Sequence, residues 1–358
     1  MNTRPSSQTA VDPDSTRLKE VQVIQVEIDT PSWNLFSQDP SVTVAFGKSN
    51  PFYRRGTSQC FVALDTDTGL VVGRIAAFVD AKAKPLTGSQ PFSSFGSFGY
   101  FDCPPKNTSV ASALLRAAEN WLTAQSCTEV IGPVDFTIFH GYRVMSSGFE
   151  RPPYLGEPRT PPHFIELLQQ SGYSSRSTWR TYDFSAADHR AQVQTMKAVL
   201  APLHQSLKPY GIVPISTTAH DIEGELKSLY PLIMESFSKN FAATELDLEE
   251  FIGLYRPLVT VLCPSSSFKI VHRGETVGFS IGYRNPLNPG TAVWHSFGNT
   301  AAHRGKGLGY LCIARVFEGF VHEGYKASYC SLVKDGPNHF EHTHAAGRTY
   351  EVFGRKLR

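Results

Sequence analysis

The chain has 358 residues, of which 41% are hydrophobic and 18% charged, with a net charge of +2. The length suits two domains of roughly 100–200 residues each, and the composition is that of an ordinary soluble globular protein. So mild a charge argues against a nucleic-acid coat or a membrane-surface binder, and no apolar run approaches the ~20 residues that span a bilayer.

Residues 1–19 are polar and rich in Ser, Thr, Pro and Asp. They are expected to be a disordered tail, and they lack the apolar stretch of a signal peptide. Cys60, Cys103, Cys127, Cys263, Cys312 and Cys330 lie far apart with no CxxC pair. They read as free thiols of a reducing compartment, so the expected location is cytoplasmic.

The first strand signal is the alternation in Val21–Ile28. Cys60–Leu64 and Leu70–Val79, joined by the turn Asp65–Gly69, predict a hairpin. Ser97–Phe101 predicts another strand. Ser109–Ala124 predicts a helix with Ala113, Leu114, Ala117, Ala118, Trp121 and Leu122 on one face, capped by Thr108 or Ser109. Val130–Val134 predicts a short strand. The Pro/Gly/Arg-rich stretch Gly141–Pro162 cannot hold regular structure for long. Its Arg143, Arg151 and Arg159, with Tyr154, could attract an anionic acceptor or simply face solvent. A helix over His163–Ser171, closed by Gly172, and a strand over Ser177–Phe184 follow.

The second half runs in nearly the same order without shared letters. Gly211–Ser216 predicts a strand and Asp221–Asn240 a helix. Phe268–His272 and Thr276–Tyr283 predict a hairpin, and Thr291–Asn299 a strand. Gly307–His322 predicts a helix with an apolar stripe at Leu308, Leu311, Cys312, Val316, Phe320 and Val321. Ala327–Val333 predicts a strand, Asn338–Ala346 a short helical or irregular piece, and Tyr350–Phe353 a last strand. Strands alternating with helices predict an α/β or α+β fold with a mixed sheet.

The residues between the Thr291–Asn299 strand and the next helix carry chemistry. Arg304, Gly305, Lys306, Gly307, Leu308 and Gly309 put bare backbone and two cations at a helix start. The first helical N–H groups are unpaired there and the helix dipole is positive, so the turn suits a phosphate. A helix start at which glycine only relieves crowding is the bland alternative. The spacing is neither a Walker A loop nor a GxGxxG dinucleotide fingerprint.

Arg304–Gly309 resembles the R/Q-x-x-G-x-G/A pyrophosphate loop of the GNAT acyltransferases. The surrounding order of hairpin, strand, loop, helix and strand is similar too, over about 210–358. The first half is similar to a degenerate second copy: Phe164–Phe184 resembles the terminal helix, Gly-aromatic turn and last strand of that family. Gly132-Pro133-Val134 and Gly148–Pro153 are similar to stretches of long bacterial GNAT-like proteins. Cys103–Ser109 stands where a first phosphate loop would be, without glycine and with two prolines that donate no N–H.

The resemblance implies two tandem GNAT-like domains, each a mixed, mostly antiparallel sheet flanked by helices. The expected boundaries are 20–190 for the degenerate domain and 191–358 for the acyltransferase domain. It implies acyl transfer to the amine of a small molecule. The donor would be acetyl-CoA, another acyl-CoA or an acyl-pantetheine on a carrier protein, with no metal. Phe297, Gly298 and Asn299 would face the thioester carbonyl, Arg304–Gly309 would hold the pyrophosphate, and Asn338 would begin the family's acid-bearing pattern. His295, in the same strand, is the candidate base, with a pKa suited to neutral pH. The acid position lacks its usual tyrosine, which leaves His342, His344 and Tyr350 as candidates. His339, His342 and His344 also admit a metal reading, though the spacing fits no standard zinc motif. An aminoacyl-tRNA donor, as in Fem-type transferases, and a non-catalytic CoA-binding protein are the competing readings; neither DNA nor a membrane is an expected partner.

Overall fold

The computed structural model describes residues 20–84, 86, 94–218, 220–336, 338–341 and 343–357. The expected tail over 1–19 lies outside these residues.

The strands are β1 (Val21–Val26), β2 (Gly56–Asp65), β3 (Val71–Asp80), β4 (Phe95–Asp102), β5 (Glu129–Gly132), β6 (Val144–Ser147) and β7 (Ser174–Ser185). The second half supplies β8 (Tyr210–Pro214), β9 (Phe268–His272), β10 (Glu275–Arg284), β11 (Thr291–Asn299), β12 (Ala327–Lys334) and β13 (Ala346–Lys356). They form one sheet in the order β1-β2-β3-β4-β5-β13-β7-β12-β11-β10-β9-β8, with β6 on the side of β13. All pairings are antiparallel except β4–β5 and β11–β12.

The halves exchange their last strands. β13, the end of the chain, lies between β5 and β7, and β7 lies against β12. The cores follow. Phe353 of β13 joins the cluster built on Phe98, Leu114, Leu122 and Phe164. Tyr182 and Phe184 of β7 join the cluster of Trp294, Cys312, Phe317 and Phe320. Fully burying one such aromatic contributes roughly 1.5–3 kcal/mol, so each half is completed by a strand of the other.

Helices cover the sheet where the apolar periodicity places them. Thr108–Ala124 buries Val110, Ala111, Leu114, Leu115, Ala118 and Leu122, and its cap is Asn107 rather than Thr108 or Ser109. Leu308–His322 buries Leu308, Cys312, Val316 and Phe320 as expected, but Phe317 is inside and Val321 is 42% exposed. A helix over Ala186–Leu200 follows β7, opened by a capping box of Ser185 and Asp188. Its buried face is His189, Gln192 and Met196, too polar to read as an amphipathic stripe. No described helix is long and apolar enough to cross a membrane.

Candidate functional site

β11 and β12 run parallel only from Thr291↔Ala327 to Trp294↔Cys330. Beyond Trp294 the two strands part, while β11 stays paired to β10 as far as Asn299↔Gly278. The β12-facing edge of His295–Asn299 is therefore open. Against β10 the register jumps from Ile281↔Ser296 to Gly282↔Trp294, which leaves His295 as the unpaired residue of a β-bulge. A bulge re-aims a side chain out of the regular alternation.

His295 lines a cavity of about 500 Å³ between the halves. The first half contributes Phe139, Tyr142, Arg143, Glu157 and Trp179; the second contributes Phe237, Tyr255, Ser296 and Lys334. The His295 ring packs at 5.1 Å from that of Tyr283, and its Nδ1 is buried without a hydrogen-bond partner. Burial first, and the charge of Arg143 second, bring its pKa down to about 4. The imidazole is neutral at pH 7 and has a lone pair to offer.

The same strand leads, through Thr300–His303, into the glycine-rich turn. Gly305 has φ +74° and Gly307 φ +85°, both in the left-handed region that favours glycine. Gly307 is the N-cap of the Leu308–His322 helix and brings no side-chain cap. Leu203 also packs here, 2.8 Å from where a Cβ on Gly307 would lie, while a Cβ on Gly309 would meet nothing within 4 Å. The helix start is thus uncapped by side chains and flanked by Arg304 and Lys306, the arrangement an anion needs.

The corresponding place in the first half is closed. The Asn107 side chain accepts from the Val110 N–H and from the Ser109 hydroxyl, and His163 Nε2 lies 2.8 Å from the Cys103 carbonyl oxygen. That helix start is occupied by its own chain.

The other expected residues are placed as follows. Phe297 is 43% exposed and stacks on Trp294, Gly298 lies against Ser236, and Asn299 Oδ1 is buried without a partner. The Asn338 side chain is taken up within the protein: its Oδ1 accepts from the Phe340 and Glu341 N–H groups, and its Nδ2 donates to the Gly336 carbonyl and the Tyr182 hydroxyl. Tyr350 is sealed inside β13, 3.1 Å from the Tyr154 hydroxyl and donating to Glu157 Oε1 at 2.8 Å. Burial raises its pKa far above the ordinary phenol value. It does not line the cavity. His342 lies outside the described residues. His344 packs on Phe184 at 4.4 Å, and His339 lies beside Phe340 and Tyr310. Among the described residues no group of three metal-ligating side chains converges.

The aromatic wall of Tyr142, Trp179, Phe237 and Tyr255 has no signal in the sequence, because its members come from four separate segments. Of the loop arginines, Arg151 pairs with Asp183 at 2.7 Å and Arg159 with Glu157 at 3.4 Å. Arg143 instead lies over the rings of Tyr142 and Trp179.

No family model matches the chain. Over 215 residues, 60% of this chain, it is 25% identical to a protein of Caulobacter vibrioides named bacterial ceramide synthase. Over 105 residues, 29% of this chain, it is 31% identical to protein YghO of Escherichia coli. The matched regions span 53% and 26% of those two proteins. Among solved structures, a tandem GNAT protein from the clavulanic acid biosynthesis pathway matches with a TM-score of 0.53 at 12% identity. That match covers 95% of this chain and 99% of the other. A probable N-acyltransferase from Enterococcus faecalis also gives a TM-score of 0.53, at 11% identity, covering 94% of this chain and 73% of the other. The fold is that of a tandem GNAT protein, with mixed, mostly antiparallel sheet and flanking helices in both halves.

Proposed function

We propose that this protein is an N-acyltransferase, taking an acyl group from a CoA thioester gripped at Arg304–Gly309 and passing it to an amine in the cavity between the halves. The observation that carries this reading is that one strand, β11, holds both ends of the site. Its bulge turns His295 to the cavity, and its end runs into the uncapped, glycine-lined helix start. CoA would supply an activated acyl carbon and a thiolate leaving group.

In this reading the chain's residues divide the work. Arg304, Lys306 and the N–H groups at the Leu308–His322 helix start hold the pyrophosphate. The open edge of His295–Asn299 offers backbone N–H groups to the oxygen on which charge develops. Neutral His295 takes the proton of the attacking amine. The first half, whose own phosphate site is closed, serves as the wall of the acceptor cavity.

The relative named ceramide synthase suggests an acceptor class, since a ceramide is the fatty amide of a long-chain amino alcohol. The aromatic wall suits an apolar chain, so long-chain amines are the first acceptors to test. The deciding experiment is a thermal shift with CoA, acetyl-CoA, a long-chain acyl-CoA and 3′-dephospho-CoA. Stabilisation of about 2.7 kcal/mol is expected at a hundredfold excess over Kd. No shift at millimolar CoA overturns the CoA-donor reading and leaves a carrier protein or aminoacyl-tRNA as donor. Binding without turnover of any amine leaves a CoA-binding protein.

A further inference from the structure

Arg143 is a buried cation, 7% exposed, that has not been given a carboxylate. Among the described residues no Asp or Glu pairs with it, and its Nε is buried with no hydrogen-bond partner. Its guanidinium carbon lies 3.5 Å from the centre of the Tyr142 ring and 4.3 Å from that of Trp179. Its Nη2 donates to the Tyr142 hydroxyl. Burial lowers its pKa to about 10, which leaves it charged at neutral pH.

The nearby acid is already used. Glu157, which lines the same cavity, is held by Arg348 at 2.8 Å, by Arg159 at 3.4 Å and by the Tyr350 hydroxyl. Stacking on two rings orients Arg143 and compensates part of its charge, but it satisfies no N–H. A buried charge whose Nε–H has no partner among the described residues is costly unless something present in the working state completes it. The backbone at Arg143 is also unusual, with φ +83° in a non-glycine residue. Such strain persists only where surrounding structure enforces it, and it collects at binding sites. Finally, Arg143 stands in the wall shared by two cavities, the one lined by His295 and one of about 370 Å³ in the first half.

From these observations we infer that Arg143 anchors an oxygen that the acceptor carries beside its amine. The guanidinium receives the oxygen while the amine faces His295. The chemistry required is a hydrogen-bond-accepting oxygen of full or partial negative charge: a carboxylate, a ketone or a hydroxyl. A carboxylate would gain most, because it neutralises the buried cation. A plain alkylamine offers the Nε–H no acceptor. The inference rests on the proposed acyl transfer for the role of the amine, but not for the binding of the oxygen.

The test is a matched set on one apolar scaffold: phenylalanine, phenylalaninol, 3-amino-4-phenylbutan-2-one and phenethylamine. Each is titrated calorimetrically into the full chain, with and without saturating CoA. At least one oxygen-bearing member is expected to bind more than about tenfold more tightly than phenethylamine, the worth of one charge-assisted hydrogen bond. Which member wins tells a carboxylate acceptor from a ketone or an alcohol. In Arg143→Met the preference should collapse, and in Arg143→Lys part of it should survive, with CoA binding unchanged in both. Equal affinities, no binding by any member, or a preference that survives in a folded Arg143→Met protein overturns the inference. If CoA fails to bind while the Arg143-dependent preference holds, the donor reading falls and the oxygen subsite stands.

Discussion

Arg348 of β13 and Glu157 of the proline-rich loop meet at 2.8 Å with their side chains 0% and 1% exposed. The pair ties the last strand of the chain to the first half. Arg348 Nε lies close to the carboxylate without pointing an N–H along the contact, so the gain there is coulombic. Directed bonds come from Nη1 to Asp183 at 2.7 Å and from Nη2 to the Pro152 carbonyl at 2.6 Å.

Breaking that pair should be costly. Arg348→Met leaves Glu157 buried with its main cation gone, which destabilises by about 3–5 kcal/mol. Chemical denaturation is the measurement. A loss under about 1 kcal/mol would mean that Arg159 and Tyr350 suffice to hold Glu157.

Gly309 separates ligand binding from folding. A Cβ there meets nothing in the free protein, and alanine is preferred to glycine in a helix by roughly 0.8–1.0 kcal/mol. Gly309→Ala should therefore fold at least as stably as the parent. If a pyrophosphate approaches this backbone, CoA affinity should fall by about tenfold or more, as read by calorimetry. Unchanged affinity would move the pyrophosphate away from Gly309.

His295→Gln keeps a polar side chain at the bulge and removes the proton acceptor. The expected result is a fall in kcat of about 10²–10⁴-fold with unchanged CoA binding. A variant with full activity would show that the amine loses its proton elsewhere.

Stability should rise with pH across a defined window. Burial, the largest cause in each, lowers the pKa of His140, His189 and His295 from 6.5 to about 4. Between those values the unfolded chain binds protons that the native protein refuses, so stability increases as pH rises from about 4 to 6.5 and levels off above. A histidine lowered this far costs on the order of 3 kcal/mol once the pH is below both values. His189 is 1% exposed, with Nε2 at 2.9 Å from the Ser328 hydroxyl. His189→Asn should flatten the slope of melting temperature against pH in this window, as scanning calorimetry would show. An unchanged slope would place the titration in other groups.

Much of this molecule is local, and local features were legible. The β2–β3 hairpin, the strand Thr291–Asn299, the apolar faces of Thr108–Ala124 and Leu308–His322, and the glycine-rich turn all follow from spacing and backbone preference within a few residues. Residues 186–200 escaped because their buried face is polar, although Ser185 and Asp188 do spell a capping box. Other features depend on segments more than a hundred residues apart. Only the tertiary structure could place β13 between β5 and β7, send Tyr182 and Phe184 into the core of the opposite half, and bury Tyr350 against Glu157. It also decided which arginine finds no carboxylate among the described residues. Arg143, Arg151 and Arg159 sit in the same loop with the same side chain. What separates them is the distance to Asp183 and Glu157, which is set when the sheet closes and the strands exchange.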